Sequence, residues 1–405
     1  MGKSGRDADK GSGESNKEET IDRILDRLRE KLLRDFDDEQ QSRGAQCSCG
    51  RIARYVGRRS RELVLLSGPV RIDRAYYQCA SCHAGFAPMD RALGISRGQC
   101  SRRVAGLIGR LSCYLPDRMV VEELSELKGI SLAVSTVQRY SRRVGEAICR
   151  EWQADQVRMQ SRTLPASEER PSRLHVTADG VMIHVGGSWR EAKLGSVYQT
   201  NPSGQAVKAR YYATMQSSAP FGMRLRLLAH RSGSERCRDI AGVADGATWI
   251  WQEFGKHFRM SVQVLDYYHV TEHLWAAAHL RFGEGSAQAD EWMKDQKTNL
   301  LEDRIDEVIA AVADWRPRKA EKRTVKRRLL SYLGEHRHRM LYKSFSEAGY
   351  QIGSGVAESG CKNVVQIRMK RAGMRWSEKG AESMLHLCGW YTSHERGTLQ
   401  PYLSA

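Results

Sequence analysis

Three carboxylates of this 405-residue chain sit where a metal-dependent reaction would want them. Asp179, in LHVTADGVMIHV, lies on or at the end of a short apolar run and precedes Gly180. Asp245, in IAGVADGATWIW, follows a strand-like run and precedes a helix. Glu358, in IGSGVAESGCKNVVQIRMKRAGMRWS, falls in the first turns of a helix after a Gly-Ser-Gly approach. Acids presented from two strand ends and one helix can hold two Mg²⁺ or Mn²⁺ ions about 4 Å apart, the arrangement for in-line attack on a phosphodiester. Taken singly each is ordinary: Asp-Gly is commonly a turn, and Glu358 has Lys362 as an i,i+4 partner. A second polar cluster runs from Asp266 to His273 (DYYHVTEH) and admits three readings. His269-x-x-Glu272-His273 matches an inverted zincin motif; Asp266-x-x-His269 would be a polar bracket beside the carboxylates; the whole could be a hydrogen-bonded helix cap. The strong positive charge of the chain disfavours the protease.

A different metal chemistry is suggested by the cysteines. Cys47-Ser48-Cys49 and Cys79-Ala80-Ser81-Cys82 flank a hairpin, so four thiolates could meet around one Zn²⁺, which takes soft ligands tetrahedrally and staples modules too small to fold on their core alone. The single residue between Cys47 and Cys49 is one short of the usual spacing, which leaves His83 as a substitute ligand. Cys100, Cys113, Cys149, Cys237, Cys361 and Cys388 are isolated and read as buried thiols.

Between these lies a helix, a glycine turn and a second helix: Val120 to Leu127, Lys128-Gly129-Ile130-Ser131, and Ala133 to Val144. In a helix-turn-helix, Ser135, Thr136, Gln138 and Arg139 would face base edges, with Arg142 and Arg143 near phosphates. Two helices joined by a turn also occur in many proteins that touch no DNA.

The elements that must position these residues follow from composition and periodicity. With 65 Lys and Arg against 48 Asp and Glu the net charge is +17, and a polyanion is the default partner. The longest apolar runs, such as Ile240 to Val243 and Ala276 to Ala278, fall far short of the roughly 18 residues of a bilayer span, so no membrane partner is expected and the cytoplasm is the expected compartment. Residues 1–18 read as a disordered tail, 19–44 as an amphipathic helix, 45–90 as a zinc-ribbon-like hairpin module, 97–152 as the helix-turn-helix region and 153–173 as a linker. Five strand-like runs follow: Leu174 to Val176, Met182 to Val185, Lys193 to Tyr198, Ala209 to Met215 and Met223 to Leu228. Alternating strands and helices then make 174–279 an α/β domain with a mixed sheet, 280–345 a helical insertion and 346–395 a helical part carrying Glu358.

The blocks RAYYQCASC, TADGVMI, SWREAKLGSVY, VADGATWIWQEF, VQVLDYYHVTEHLW, RMLY and IGSGVAESGCKNVVQIRMKRAGMRWSEKGAESML, in this order over about residues 45 to 390, resemble the ISKra-type bacterial insertion-sequence transposases, relatives of the Mutator-like group. The resemblance implies an RNase H-like catalytic domain with an Asp-Asp-Glu triad, preceded by a zinc-binding and helix-turn-helix region. It carries the first aspartate to Asp179 and the glutamate to Glu358. It carries the second to Asp245, with Asp266 and His269 as the accessory pair, and Asp266 as the alternative ligand. It implies double-stranded DNA, both element ends and target, as partner, at least a homodimer, and association with the bacterial nucleoid. Lys362, Arg368, Lys370 and Arg371 would then grip phosphates beside the glutamate. The chain departs from the family at Cys47-Ser48-Cys49, where a two-residue gap is expected. The competing expectation is a transposase-derived repressor that binds DNA without cutting it.

Overall fold

The hairpin of β2 (Ile52–Leu65) and β3 (Gly68–Gln78) pairs from Leu65 and Gly68 at its turn to Arg54 and Gln78 at its open end. The computed structural model describes residues 27–28, 30–38, 44–92, 95, 98–393, 399 and 402. The expected disordered tail and the first apolar residues of the expected amphipathic helix, Ile21, Ile24 and Leu25, lie outside the described residues. Contacts divide the chain into two compact units, one reaching Ser141 and taking in the last residues, the other running from Arg142 to Gly397.

In the first unit β1 (Gly44–Gln46) and β4 (Gly85–Phe86) flank the hairpin in an antiparallel sheet of order β1-β2-β3-β4. Alternation along β3 buries Val70 and Ile72 against Leu63, Met89 and Ile95, with Leu33 and Phe36 of α1 (helical residues 27, 28 and 30–38) on top. Asp37 of that helix is buried because it accepts from Ala75 N at 3.0 Å and pairs with Arg58 at 2.7 Å. After α2 (Pro88–Ala92) come three helices, α3 (Arg102–Ser112), α4 (Asp117–Lys128) and α5 (Val134–Gln160). Gly129 closes α4 at φ 59°, a left-handed turn that suits glycine. Val104, Ile108, Val120, Leu124, Ile130 and Val137 make the core between them.

Helix α5 continues to Gln160, so the first part of the expected linker is helical and only residues 161–172 are irregular; the boundary of the compact units falls inside this helix. Charged and polar residues on one face of α5 gave the segment a linker-like composition, while Trp152 and Asp155 on the other face are buried.

The second unit is built on a five-stranded sheet of order β7-β6-β5-β8-β9, comprising β5 (Arg173–Val185), β6 (Ser188–Thr200), β7 (Ala206–Thr214), β8 (Asp239–Ala244) and β9 (Val262–Leu265). The first three are antiparallel neighbours; β8 runs parallel to β5, and β9 parallel to β8. Gly186 and Gly187, at φ 61° and 83°, make the two-residue turn between β5 and β6 that needs both positive φ values. The expected runs Leu174 to Val176 and Met182 to Val185 are therefore one strand. The run Met223 to Leu228 is not a strand but part of α6 (Ser218–Arg231). Its apolar residues recur as Phe221, Leu225, Leu228 and Ala229, and the first two occupy the space that a side chain at Gly195 would fill.

Helix α7 (Thr248–His257) links β8 to β9, and α8 (Tyr267–Phe282) follows β9. The stretch read as a helical insertion holds α9 (Ala287–Leu301), α10 (Ile305–Ala313), α11 (Ala320–His336) and α12 (Tyr342–Glu347). The last region holds α13 (Gly355–Gly360), a π-helical segment Cys361–Gln366, α14 (Ile367–Met369) and α15 (Glu378–Ser393). Gly360 lets α13 sit against Leu194 and Tyr211, whereas Gly195 admits α6, so the two helices cover opposite faces of β6. Among the described residues no helix is long and apolar enough to cross a membrane.

Candidate functional site

The parallel pairing of β5 with β8 ends at Thr177 and Val243, so Asp179 and Asp245 both stand two residues beyond the last pair, side by side and in matching register. Asp179 is still within β5, opposite Leu194 of β6. Its Oδ1 accepts from Gly180 N at 2.6 Å and its Oδ2 from the thiol of Cys361 at 3.2 Å. Burial, reinforced by the charge of Asp245, pushes the Asp179 carboxyl above the usual range, while the Cys361 thiol, the Gly180 N–H and His269 act the other way. Asp245 begins the turn into α7, with Oδ1 accepting from Ala247 N at 2.9 Å and its carbonyl accepting from Tyr332 Oη at 3.0 Å. The next residue, Gly246, has φ 99° and lies so close to the Tyr332 ring that a Cβ would collide with it.

Glu358 is exposed on α13, one turn before Cys361, and its side chain makes no hydrogen bond or ion pair among the described residues. Cys361 thus stands between two carboxylates, bonded to Asp179 and within electrostatic range of Glu358; burial and both negative charges hold its thiol protonated. Sequence spacing could have drawn attention to it, since i and i+3 share a helix face.

Asp266 is occupied differently. It caps α8, its Oδ1 accepting from Tyr268 N at 2.7 Å and His269 N at 3.1 Å. Its Oδ2 accepts from Ser354 N at 2.7 Å and from the Ser354 hydroxyl. At 2% exposure it ties the start of α8 to the residue that precedes α13. His269, in the first turn of α8, lies near Glu272 (3.7 Å) and packs its ring on that of His273, with centroids 4.7 Å apart. Among the described residues this pair gathers no third ligand; Cys47, Cys49, Cys79 and Cys82 form the group that does, and the three carboxylates are not drawn together as tightly.

Of the residues expected to read DNA bases, Ser135, Gln138 and Arg139 are exposed on α5. Thr136 is corrected: at 9% exposure it faces inward, one turn from Tyr140, whose hydroxyl accepts from Cys100 N at 3.0 Å. Arg142 is exposed and 3.6 Å from Glu146, and Arg143 is half-buried. Lys362, Lys370 and Arg371 are exposed, but Arg368 is also corrected: it is 1% exposed, with its guanidinium over the Trp376 ring at 4.6 Å. The π-helical segment between Glu358 and Arg368 explains this, because one extra residue per turn rotates everything after it by about 100°. On α11, Lys322 donates to the carbonyl of Leu280 at 2.5 Å and Lys326 to those of Ala313 and Trp315 at 2.6 and 2.7 Å, so part of that helix's positive charge closes the ends of others.

In the first unit the four sulfurs of Cys47, Cys49, Cys79 and Cys82 lie within 4.8 Å of one another, with Cys47–Cys82 at 3.5 Å and Cys49–Cys79 at 3.6 Å. Sulfurs around a tetrahedral zinc are about 3.8 Å apart, so the donor set fits Zn²⁺. His83 is not among them: it takes φ 57° in the second turn, where its N–H donates to the Cys79 carbonyl at 3.0 Å. The one-residue gap is accommodated because Cys47 N donates to Arg51 O and Gly50 N to Cys47 O, a turn tight enough to bring both thiols to the same side. The backbone N–H of Cys49 holds Cys47 down to about 6, and those of Cys82 and Ser81 lower Cys79. The Ala84 N–H favours the Cys82 thiolate, but the other three sulfurs outweigh it and push Cys82 up to about 12.

A protein of Streptococcus gallolyticus described as "UPF0236 protein in vanSb 3'region" is 26% identical over 357 residues, covering 85% of this chain and 74% of its own length. Residues 18–398, a span that takes in the cysteine cluster and all the carboxylates above, match one family model, and the chain belongs to the family it describes, Uncharacterised protein family (UPF0236).

Proposed function

We propose that this protein is a DDE-class DNA transposase whose catalytic unit is RNase H-like and whose acids are Asp179, Asp245 and Glu358. The observation that carries the reading is the matching register of Asp179 on β5 and Asp245 just past the end of β8, with the helix of Glu358 packed against β5 and β6 on the face that Asp179 occupies. The sheet order supports it: numbered within the unit the strands run 3-2-1-4-5, three antiparallel and two parallel, which is the order an RNase H-like domain has. So does the resemblance of the sequence blocks to the ISKra-type enzymes.

Carboxylate oxygens are hard donors of the kind Mg²⁺ and Mn²⁺ take, and the repulsion that Asp245 exerts on the half-buried Asp179 carboxyl is what a cation would relieve. Bound there, two divalent ions would supply charge neutralisation at the attacking and leaving oxygens of a phosphodiester. The chain's own residues set the stage. Tyr332 and Gly246 fix the turn of Asp245, Cys361 orients Asp179, and Asp266 pins the start of the Glu358 helix to α8. Lys362, Lys370 and Arg371 attract phosphates near it. The reaction is hydrolysis at the element end, leaving a 3′-hydroxyl, and attack of that hydroxyl on target DNA. In the first unit, a zinc held by the four cysteines would staple the hairpin, and Ser135, Gln138 and Arg139 would read the terminal repeat.

The test is incubation with a plasmid carrying the gene and its flanking DNA, with Mg²⁺ or Mn²⁺. Wild type nicks at the element ends; Asp179→Asn and Glu358→Gln bind but do not nick. Binding without nicking by wild type, with both ends present, would make the protein a DNA-binding repressor instead.

A further inference from the structure

The six cysteines outside the cluster are expected to be buried thiols; four are buried, but Cys149 and Cys237 are only half-buried. These two sulfurs are used in opposite ways. Cys237 Sγ donates, to the Asp239 carbonyl at 3.1 Å, and is a thiol. Cys149 Sγ accepts, from the amide of the exposed Gln153 at 3.6 Å, and on its other side it meets the imidazole of His386.

Two helices bring these groups together. Gly145 of α5 lets α15 come close, because a Cβ there would run into the carbonyl of Ser383. One turn further along each helix stand Cys149 and His386. The His386 side chain is 2% exposed, its ring centroid lies 5.4 Å from that of Tyr212 on β7, and its Nε2 is 3.2 Å from Glu382 Oε1. Glu382 is itself pinned, accepting from Met215 N at 2.9 Å and from the Thr214 hydroxyl. Burial alone would strip the proton from His386, but Cys149 and Glu382 outweigh it and raise the imidazole to about 9. The same imidazole lowers the Cys149 thiol, with Arg224 of α6 helping and burial and Glu382 opposing. Tyr212 stays a neutral phenol because burial raises it. A reactive cysteine needs a cation that stabilises its anion and a side open to the reagent, and Cys149 has both.

We propose that Cys149 is a modification site, a thiolate paired with the His386 imidazolium that hydrogen peroxide oxidises to a sulfenic acid. A sulfur lone pair attacks one peroxide oxygen and the O–O bond breaks, so that sulfur loses two electrons and peroxide gains them. The other oxygen leaves as hydroxide and takes the His386 proton to become water. The products are the Cys149 sulfenic acid and a neutral imidazole, and the charge pair between α5 and α15 is gone. A small uncharged oxidant suits the place, since Gln153 covers part of the open side of the sulfur.

The experiment exposes full-length wild type and His386→Gln to hydrogen peroxide from pH 6 to 9, removes the peroxide with catalase, unfolds the protein in urea with dimedone, and reads the sulfenic acid adduct at each cysteine by mass spectrometry. In wild type Cys149 is oxidised about tenfold faster than Cys237 at pH 7, and the ratio narrows as pH rises and the ordinary thiol ionises. His386→Gln loses about tenfold at Cys149 and nothing at Cys237; if that variant does not keep the wild-type urea midpoint, the wild-type ratio and its pH trend decide. Equal oxidation of the two cysteines, a ratio independent of pH, or wild-type oxidation of Cys149 in a folded His386→Gln would overturn the proposal.

Discussion

The thiol of Cys361 donates to Oδ2 of Asp179 across 3.2 Å, joining the helix of Glu358 to the strand of the first aspartate. Two carboxylate-bearing elements 182 residues apart in the chain are thus held by one weak hydrogen bond in a buried place. Cys361→Ala removes the donor to Oδ2 and leaves the Asp179 side chain held by the Gly180 N–H. The expected result is about a tenfold fall in the rate of DNA nicking with DNA affinity unchanged, and recovery of most of the rate in Cys361→Ser, whose hydroxyl donates in the same place. Nicking rates and binding curves for the three proteins check this.

The cysteine cluster predicts one zinc per chain, released with loss of the hairpin module. Replacing Cys49 or Cys79 by Ser leaves three sulfurs and abolishes stoichiometric zinc, whereas His83→Ala leaves it unchanged because the imidazole is not among the ligands. Metal analysis of the purified variants, with proteolysis of the first unit as a second readout, decides it.

Acid sensitivity should arise at His175. This side chain is fully buried, stacked on Tyr198 with centroids 5.0 Å apart, and burial, with Arg173 nearby, lowers it from 6.5 to about 4. Because the folded value lies below the unfolded one, the neutral form stabilises the fold above pH 6.5, and that contribution is lost as pH falls toward 4, by about 3 kcal/mol. His175→Phe, which keeps the stacking, should flatten the dependence of the urea midpoint on pH between 6.5 and 4. An unchanged slope would assign the acid sensitivity elsewhere.

The apolar runs that lead into Asp179 and Asp245 are legible in the sequence because each is closed by Asp-Gly, although β5 runs on past Asp179 to Val185, and α7 follows Asp245 as the expected helix does. Met223 to Leu228 misleads because a short apolar run has no period of its own, and the side it packs on is decided by Gly195 on another element. Thr136 and Arg368 fail for a related reason. Which way a helical side chain points depends on neighbours in the fold, and at Arg368 also on a π-helical turn that single-sequence periodicity does not register. The role of Asp266 is invisible for want of its partner: Ser354 is 88 residues away, and only the fold brings the two together.

That bond separates the two candidates for the second aspartate. Asp245 has carboxylate oxygen to spare beside Asp179, whereas Asp266 has both oxygens committed to Tyr268, His269 and Ser354. The most direct measurement is Mn²⁺-dependent nicking of element-end DNA by Asp245→Asn and Asp266→Asn, read together with their unfolding free energies. Asp245→Asn is expected to abolish nicking at unchanged stability, while Asp266→Asn keeps the cap through its amide oxygen but leaves the buried Ser354 N–H without its acceptor, lowers stability by about 1 to 3 kcal/mol, and retains nicking wherever it stays folded. Nicking that survives Asp245→Asn and disappears in a stable Asp266→Asn would contradict that expectation.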